Sequence, residues 1–277
     1  MGDPRIAELD EVTARAVDAV AREAVVDAAV PALLLRRYLE TDGPALRDTL
    51  GSALAQALAL AASDTTVIGR AAWLTLMVDA TAVAEDERIL PAAHALLAGL
   101  QSGWPAQTRI DEVSASVEAC LRAAGIVNPD ELVQDAIDHL ERVIGGSYRP
   151  GEGLVRDRDG LHVRCGADDH VRGASALLTA FELTGRLPYS MLAEELMAIA
   201  RPAAGADLVT LCEAARVLCR LAALHDDPDY RGAAVVATGA DYRAEAARIL
   251  AANSDAARAG TPASAAAYGL ALLDLLK

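Results

Sequence analysis

Aromatic side chains are almost missing from this 277-residue chain: one Phe, two Trp and six Tyr. Strands favour aromatic and β-branched residues, and outside short Val runs the chain has few of either, so a β-rich fold is excluded. The same scarcity disfavours a strong protein-binding hot spot. Lysine is rarer still, with Lys277 the single example. Forty acidic residues against 25 basic ones leave a net charge of −15. That balance excludes a phosphate-binding face and so nucleic acid, and it excludes an anionic membrane surface as partner.

The four cysteines, Cys120, Cys165, Cys212 and Cys219, form no C-x-x-C pair. No Cys/His cluster with metal-ligand spacing is present, so no metal is expected, and Cys120, Cys212 and Cys219 read as small buried apolar residues. The longest apolar runs, such as Ala53–Ala62, are too short to span a bilayer. The start, MGDPRIAELDEV, has no basic and apolar leader pattern, and Ile6 stands where a myristoylation motif needs Ser or Thr. A soluble cytoplasmic protein is the expectation. There is no P-loop, dinucleotide glycine fingerprint, G-x-S-x-G or H-E-x-x-H, so no cofactor is expected.

What is present is helical periodicity built from Ala and Leu; hydrophobic residues reach 53%. The spacing predicts helices at about 4–28, 30–41, 44–62, 65–83, 86–101, 109–124, 129–144, 169–184, 188–201, 206–224, 241–253 and 262–276. Asp64 or Thr65, Asn128-Pro129 and Asp169 supply start signals, and Gly125, Gly145-Gly146 and Gly185 stop signals. Leu132, Val133, Ala136, Ile137, Leu140 and Val143 fall on one stripe, as do Leu208, Leu211, Cys212, Ala215, Leu218, Cys219 and Ala222. Short connections make successive helices antiparallel hairpins. The chain reads as one helical domain over 1–277: hairpins in 1–144, a long polar loop in 145–170, and hairpin repeats in 171–277.

Those repeats are visible. Ala174, Leu177, Leu178, Leu183 and Tyr189 recur 41 residues later as Ala215, Leu218, Cys219, Leu224 and Tyr230. In the second copy RGAAVVATGA lengthens the turn before Asp241-Tyr242. Recurring helical hairpins build a solenoid or a closed ring, and twelve helices make six hairpins. The stretch DDHVRGASALLTAFELTGRLPYSMLAEELMAIA, the units Ala176–Tyr189 and Ala215–Tyr230, and the tail AAAYGLALLDLL resemble the C-terminal helical region of thioredoxin-domain proteins. The resemblance covers about 130–277. It implies an all-α fold, an (α/α) toroid of the six-hairpin glycosidase and N-acylglucosamine 2-epimerase type, complete or partial. It also implies a cavity lined by inner-helix ends. The chain lacks the thioredoxin domain itself and has Leu211-Cys212 where that family often has Asn-Ser.

The segment Gly145–His170 stands apart, rich in Gly, Arg, Asp and His. Loops this long inside compact domains are often functional. Asp168, Asp169 and His170 are the candidate catalytic groups, and each Asp equally suits a helix cap. Tyr148, Arg149, Glu152, Arg156, His162, Arg164 and Arg172 are candidate ligand contacts, because Arg forks hold carboxylate or phosphate. Salt bridging to Glu152, Asp157 and Asp159 is the plainer role for the arginines. Leu154-Val155 and Leu161-His162-Val163 flank an Asp157–Gly160 turn signal, so part of the loop can be a hairpin.

Glycoside hydrolysis needs two carboxylates; Asp168 or Asp169 with Glu152 or Glu182 are the choices, and His162 with His170 the choice for an epimerase. His94 and His139 read as helix-surface residues and His225 as a turn residue. Asp226-Asp227-Pro228-Asp229 reads as a turn rather than a metal motif. The expectation is a carbohydrate or small-metabolite site under the 145–170 loop. The alternative is a non-enzymatic scaffold for another protein or for a homodimer.

Overall fold

A computed structural model describes residues 3–126, 129–158, 161–200, 205–233 and 240–277. Asn128, Asp159, Gly160 and most of the 231–240 segment lie outside the described residues, as do the side chains of Asp130, Asp157 and Arg158. Thirteen helices are described: α1 Pro4–Ala21, α2 Ala29–Thr41, α3 Pro44–Ser63, α4 Val67–Ala80, α5 Ile89–Gly103, α6 Ile110–Ala123, α7 Pro129–Ser147, α8 Ala167–Thr184, α9 Leu187–Ala200, α10 Leu208–Asp226, α11 Pro228–Ala233, α12 Tyr242–Ala259 and α13 Pro262–Leu275.

Burial sorts them into two layers. On α1 the buried residues Leu9, Val12, Thr13, Ala16, Ala19 and Val20 make a single stripe, and α12 buries Tyr242, Ala246, Leu250 and Ala257 in the same way. These are outer helices, wet on one side. In α8, by contrast, an unbroken run from Asp169 to Ala180 is buried except for Arg172. The helices buried on several sides, α4, α6, α8, α10 and α13, pack with α2 in the order α2–α4–α6–α8–α10–α13, and α13 packs back against α2. The six inner helices therefore close a ring, with α1, α3, α5, α7, α9 and α12 outside it: an (α/α) toroid.

Small residues let the ring close. A Cβ on Gly269 of α13 would meet Leu33 and Val12 side chains at 3.0 Å. The seam is then tied by Tyr268 to Glu8 at 2.8 Å, Arg36 to Asp274 at 2.7 Å and Arg15 to the Gly260 carbonyl at 2.7 Å.

Several boundaries differ from expectation. Helix α1 ends at Ala21, and Glu23 beyond it is left-handed at φ 53°. Helix α7 runs through Gly145-Gly146 to Ser147. Each glycine lowers helix propensity by about 1 kcal/mol, but both are solvent-exposed, and the buried stripe of Leu132, Ala136, Ile137, Leu140 and Ile144 holds the helix from its other face. Helix α12 extends to Ala259. His139 is buried, not superficial: its ring stacks on Trp104 at 5.2 Å. His225 ends α10 and bonds Glu194 at 2.6 Å. All four cysteines are free and buried, Cys165 included.

Candidate functional site

The long segment between α7 and α8 is a small antiparallel sheet in the order β1–β2–β3, formed by Tyr148–Arg149, Gly153–Arg158 and Leu161–Arg164. Val155 pairs with Arg164 and Arg158 with Leu161. The first turn needs glycine, with Gly151 at φ 76° and Gly153 at φ 81°. Leu154 and Val155 are buried, and Tyr148 of β1 packs partly buried against the core, which anchors the sheet.

Two of the three candidate catalytic residues tie this sheet to α8. The ring of His170 is buried. Its Nε2 accepts the Leu154 N–H at 3.1 Å, so its Nδ1 carries the proton and donates to the Gly166 carbonyl at 2.7 Å. Burial lowers its pKa below the ordinary histidine value, against the opposing pull of the Gly166 carbonyl. Asp169 is 1% exposed. It accepts the Gly166 N–H at 3.1 Å, the half of a capping box that a glycine N-cap allows at the start of α8, and pairs with Arg156. Arg156 thus ties β2 to the start of α8. Asp168, the residue between these structural groups and the loop, is exposed.

The ligand candidates divide in the same way. Tyr148 donates to Glu195 of α9 at 2.7 Å, and burial with that carboxylate pushes its hydroxyl up to about 12. Arg149 is exposed and donates to the carbonyls of Gly146 and Tyr148. Glu152 is exposed in the β1–β2 turn, and His162 is exposed on β3 opposite Asp157. Arg164 reaches the Ile199 carbonyl at 3.5 Å. Arg172 lies one helical turn along α8 from Asp168 and is half-buried; against the effect of burial, its charge adds to that of Arg109 in holding Asp111, at the start of α6, below the usual carboxylate range. Asp111 itself is buried and paired with Arg109 at 2.5 Å.

A groove of about 580 Å³ opens where the N-terminal ends of α8 and α10 meet the end of α9. Arg164, Asp168, His170, Asp207 and Thr210 contribute to its lining, and among the described lining residues there is no Phe, Trp or Tyr. Asp207 also caps α10, accepting the Thr210 N–H at 2.8 Å. The two helix starts add partial positive charge to one side of the groove. Asp207 is a groove residue that the sequence analysis did not single out; its only signal was an Asp two residues into the helix expected at 206–224, with Thr210 three residues on, which reads as an N-cap. Glu182 cannot partner Asp168. It sits 14 residues further along the same helix, roughly 20 Å away at the helical rise, and it binds Arg220 at 3.0 Å. Glycosidase carboxylates stand about 5–10 Å apart.

Below the mouth, the axial face of the ring is polar. Arg220 of α10 passes Ser175 and Thr179 of α8, bonding both, and reaches Glu118 of α6 at 3.6 Å. Asp274 of α13 joins Arg36 of α2 at 2.7 Å to Arg216 of α10 at 2.9 Å. Arg122 pairs with Glu118 at 3.2 Å. Burial raises Glu118 and Asp274, but the surrounding arginines prevail and hold both below the usual carboxylate range. Among the described residues no group of three or more His, Cys, Asp or Glu is placed to hold a metal ion. No described helix is long and apolar enough to cross a membrane.

The sequence matches no family model and no curated protein. Its structure is similar to several solved ones. An inactive variant of the α-1,6-mannanase GH76A of Salegentibacter sp. HEL1_6, with two adjacent aspartates replaced by alanine and in complex with α-1,6-mannotetrose, superposes with a TM-score of 0.65 at 12% identity, over 90% of this chain and 87% of that one. Unsaturated glucuronyl hydrolase from Bacillus sp. GL1, responsible for the degradation of glycosaminoglycan, gives 0.67 at 14% identity, over 90% and 85%. A UGL variant with one aspartate changed to asparagine, with dGlcA-Glc-Rha-Glc, gives 0.73 at 14% identity, over 97% and 95%. At these identities the likeness is one of fold: the ring of hairpins is shared along nearly the whole chain.

Proposed function

We propose that this protein takes the end of a short, polar saccharide in the groove at the N-terminal mouth of the ring, with Asp168 as the carboxylate that acts on it. The observation that carries this reading is the division of labour at the start of α8. Asp169 and His170 are buried and fully engaged, while Asp168 beside them is exposed in the groove. Asp207 lines the same groove and is the second carboxylate the reading calls on. Arg164 and Thr210 supply donors for hydroxyl or carboxylate groups of the ligand. The described lining, with no Phe, Trp or Tyr to stack on, suits a polar or charged sugar better than a flat neutral one.

The solved toroids lend support. The mannanase and the UGL variant are carbohydrate-active proteins with bound oligosaccharides, and the inactive mannanase has lost two adjacent aspartates; this chain also carries an adjacent pair, Asp168-Asp169, at an inner-helix start. We also read 130–277 as kin to the toroid region of thioredoxin-domain proteins, on the Ala176–Tyr189 and Ala215–Tyr230 units. The scaffold reading has less behind it. Among the described residues the exposed large apolar side chains, such as Ile6, Leu39, Leu90, Leu183 and Val209, are scattered over separate helices.

The test is titration calorimetry with α-1,6-linked mannotriose and with unsaturated glucuronyl disaccharides, followed by a reducing-sugar assay on whichever binds. Binding in the wild type, with turnover removed by Asp168→Asn, is the expected result. Absence of binding to every saccharide in the set, or undiminished turnover in Asp168→Asn, would falsify it.

A further inference from the structure

The imidazole of His170 closes a circuit of hydrogen bonds at the mouth. Its Nδ1 donates to the Gly166 carbonyl at 2.7 Å, and its Nε2 accepts the Leu154 N–H at 3.1 Å. The Leu154 carbonyl in turn accepts the Cys165 N–H at 2.9 Å. Cys165 and Gly166 are neighbours in the chain, so one side chain joins β2 to the segment that leads into α8. Cys165, Gly166 and His170 all line the groove. The place of that wall, with Arg164 and Asp168 on either side of it, therefore depends on the ring.

The packing is cut to fit this contact. A Cβ on Gly153 would lie 2.5 Å from His170 Nε2. A Cβ on Gly173 of α8 would meet Leu154 Cδ1 at 3.2 Å, so that glycine leaves the notch which the Leu154 side chain fills. Leu154 and His170 are both buried. The bond between them is thus formed away from water, where an N–H that loses its acceptor finds no ready replacement.

We propose that His170 is a positioning residue that works as a proton-operated latch: the neutral ring holds β2 and the groove wall against the start of α8, and the imidazolium releases them. Neutral imidazole donates from one nitrogen and accepts at the other, whereas imidazolium has two donors and no acceptor. Protonation therefore sets an Nε2–H against the Leu154 N–H and opens the circuit at that bond. Burial holds the ring below the ordinary histidine value, and Arg164 of β3 adds to it; the Gly166 carbonyl, Asp169 and Asp168 pull the other way. Of the other charged groups nearby, Arg156 of β2 is paired with Asp169, and Glu195 of α9 accepts from Tyr148 and the Gly151 N–H. A folded value below the unfolded one, about 6.5, means that the latch holds fully above that pH and gives way as the pH falls beneath it.

The latch stands apart from the saccharide reading; only its effect on binding rests on that reading. Nuclear magnetic resonance on the full, 15N-labelled chain tests it. At about pH 7.5 the imidazole spectrum should show His170 as the Nδ1–H tautomer. As the ring titrates, hydrogen-exchange protection of the Leu154 amide, corrected for the intrinsic effect of pH, should drop at least about tenfold, the loss of one hydrogen bond. In His170→Gln the side-chain carbonyl can accept the same N–H without titrating, so protection should stay level over that range. A ring that remains neutral down to acid unfolding overturns the proposal, as does one that titrates while Leu154 protection holds, or a folded His170→Gln whose protection still falls. A saccharide that binds at about pH 7.5 should bind at least about tenfold more weakly once the ring is charged, in the wild type alone; equal binding overturns the positioning role. If no saccharide binds, the reading of the groove fails, and the imidazole and the Leu154 amide still decide the latch.

Discussion

The mouth and the floor of this ring solve opposite problems with the same residue types. At the mouth, Asp169, His170 and Arg156 are held by backbone groups and by one another within a short stretch of chain. On the floor, Arg36, Glu118, Arg216, Arg220 and Asp274 come from helices far apart in sequence and satisfy one another across the ring. Local pairing fixes a loop; distant pairing fixes a shape. The mouth can afford an exposed Asp168 because its neighbours carry the structure, whereas almost any floor residue holds two helices at once.

That contrast can be broken most severely on the floor. Asp274→Ala should remove the carboxylate that joins Arg36 to Arg216, leaving Arg216 only Glu213, and destabilise the fold by roughly 3 kcal/mol, read as a lowered urea midpoint. Acid should act next. His139 is stacked and buried, and desolvation, aided by Arg142, lowers it to about 4. A folded-state value below the unfolded one, about 6.5, means the folded form resists protonation. Its contribution is fully present above pH 6.5 and is lost as the pH falls towards 4, by roughly 2–4 kcal/mol. His139→Phe should flatten that part of the pH–stability curve.

At the mouth, Gly153→Ala should cost about 2 kcal/mol. It forces a side chain into a left-handed position where its Cβ would stand 2.5 Å from His170 Nε2. Faster hydrogen exchange at the Leu154 amide would report the lost histidine bond. The smallest effect belongs to Asp168→Asn, within about 0.5 kcal/mol in thermal melts. A larger loss there would show that Asp168 is structural after all and would erase the difference between the two regions.

The sequence displays these regions unequally. Hairpins were legible because apolar stripes at three- and four-residue spacing carry the outer helices, and because Tyr189 and Tyr230 mark equivalent turns. The mouth was legible because its polar residues cluster in 145–170 against an Ala-Leu background. Which of Asp168, Asp169 and His170 faces solvent was not, since it depends on where α8 starts and how β2 reaches His170. The floor was invisible for a different reason: it takes one to three polar residues from each of five inner helices, so no window of sequence looks unusual. A trace existed in α8, where Arg172, Ser175, Thr179 and Glu182 fall on one face of an otherwise apolar helix.

Closure between α13 and α2 bears on how the molecule assembles. In an open stack of hairpins each unit is stabilised by its neighbours alone, and ends can fray one at a time. Here Arg36–Asp274 and Glu8–Tyr268 join positions 238 and 260 residues apart. Contacts of that separation form only after most of the chain has been ordered, and they slow folding. The seam is then the last thing to form and the first whose loss exposes the inner helices, so the ring should open at one place and unfold as a unit.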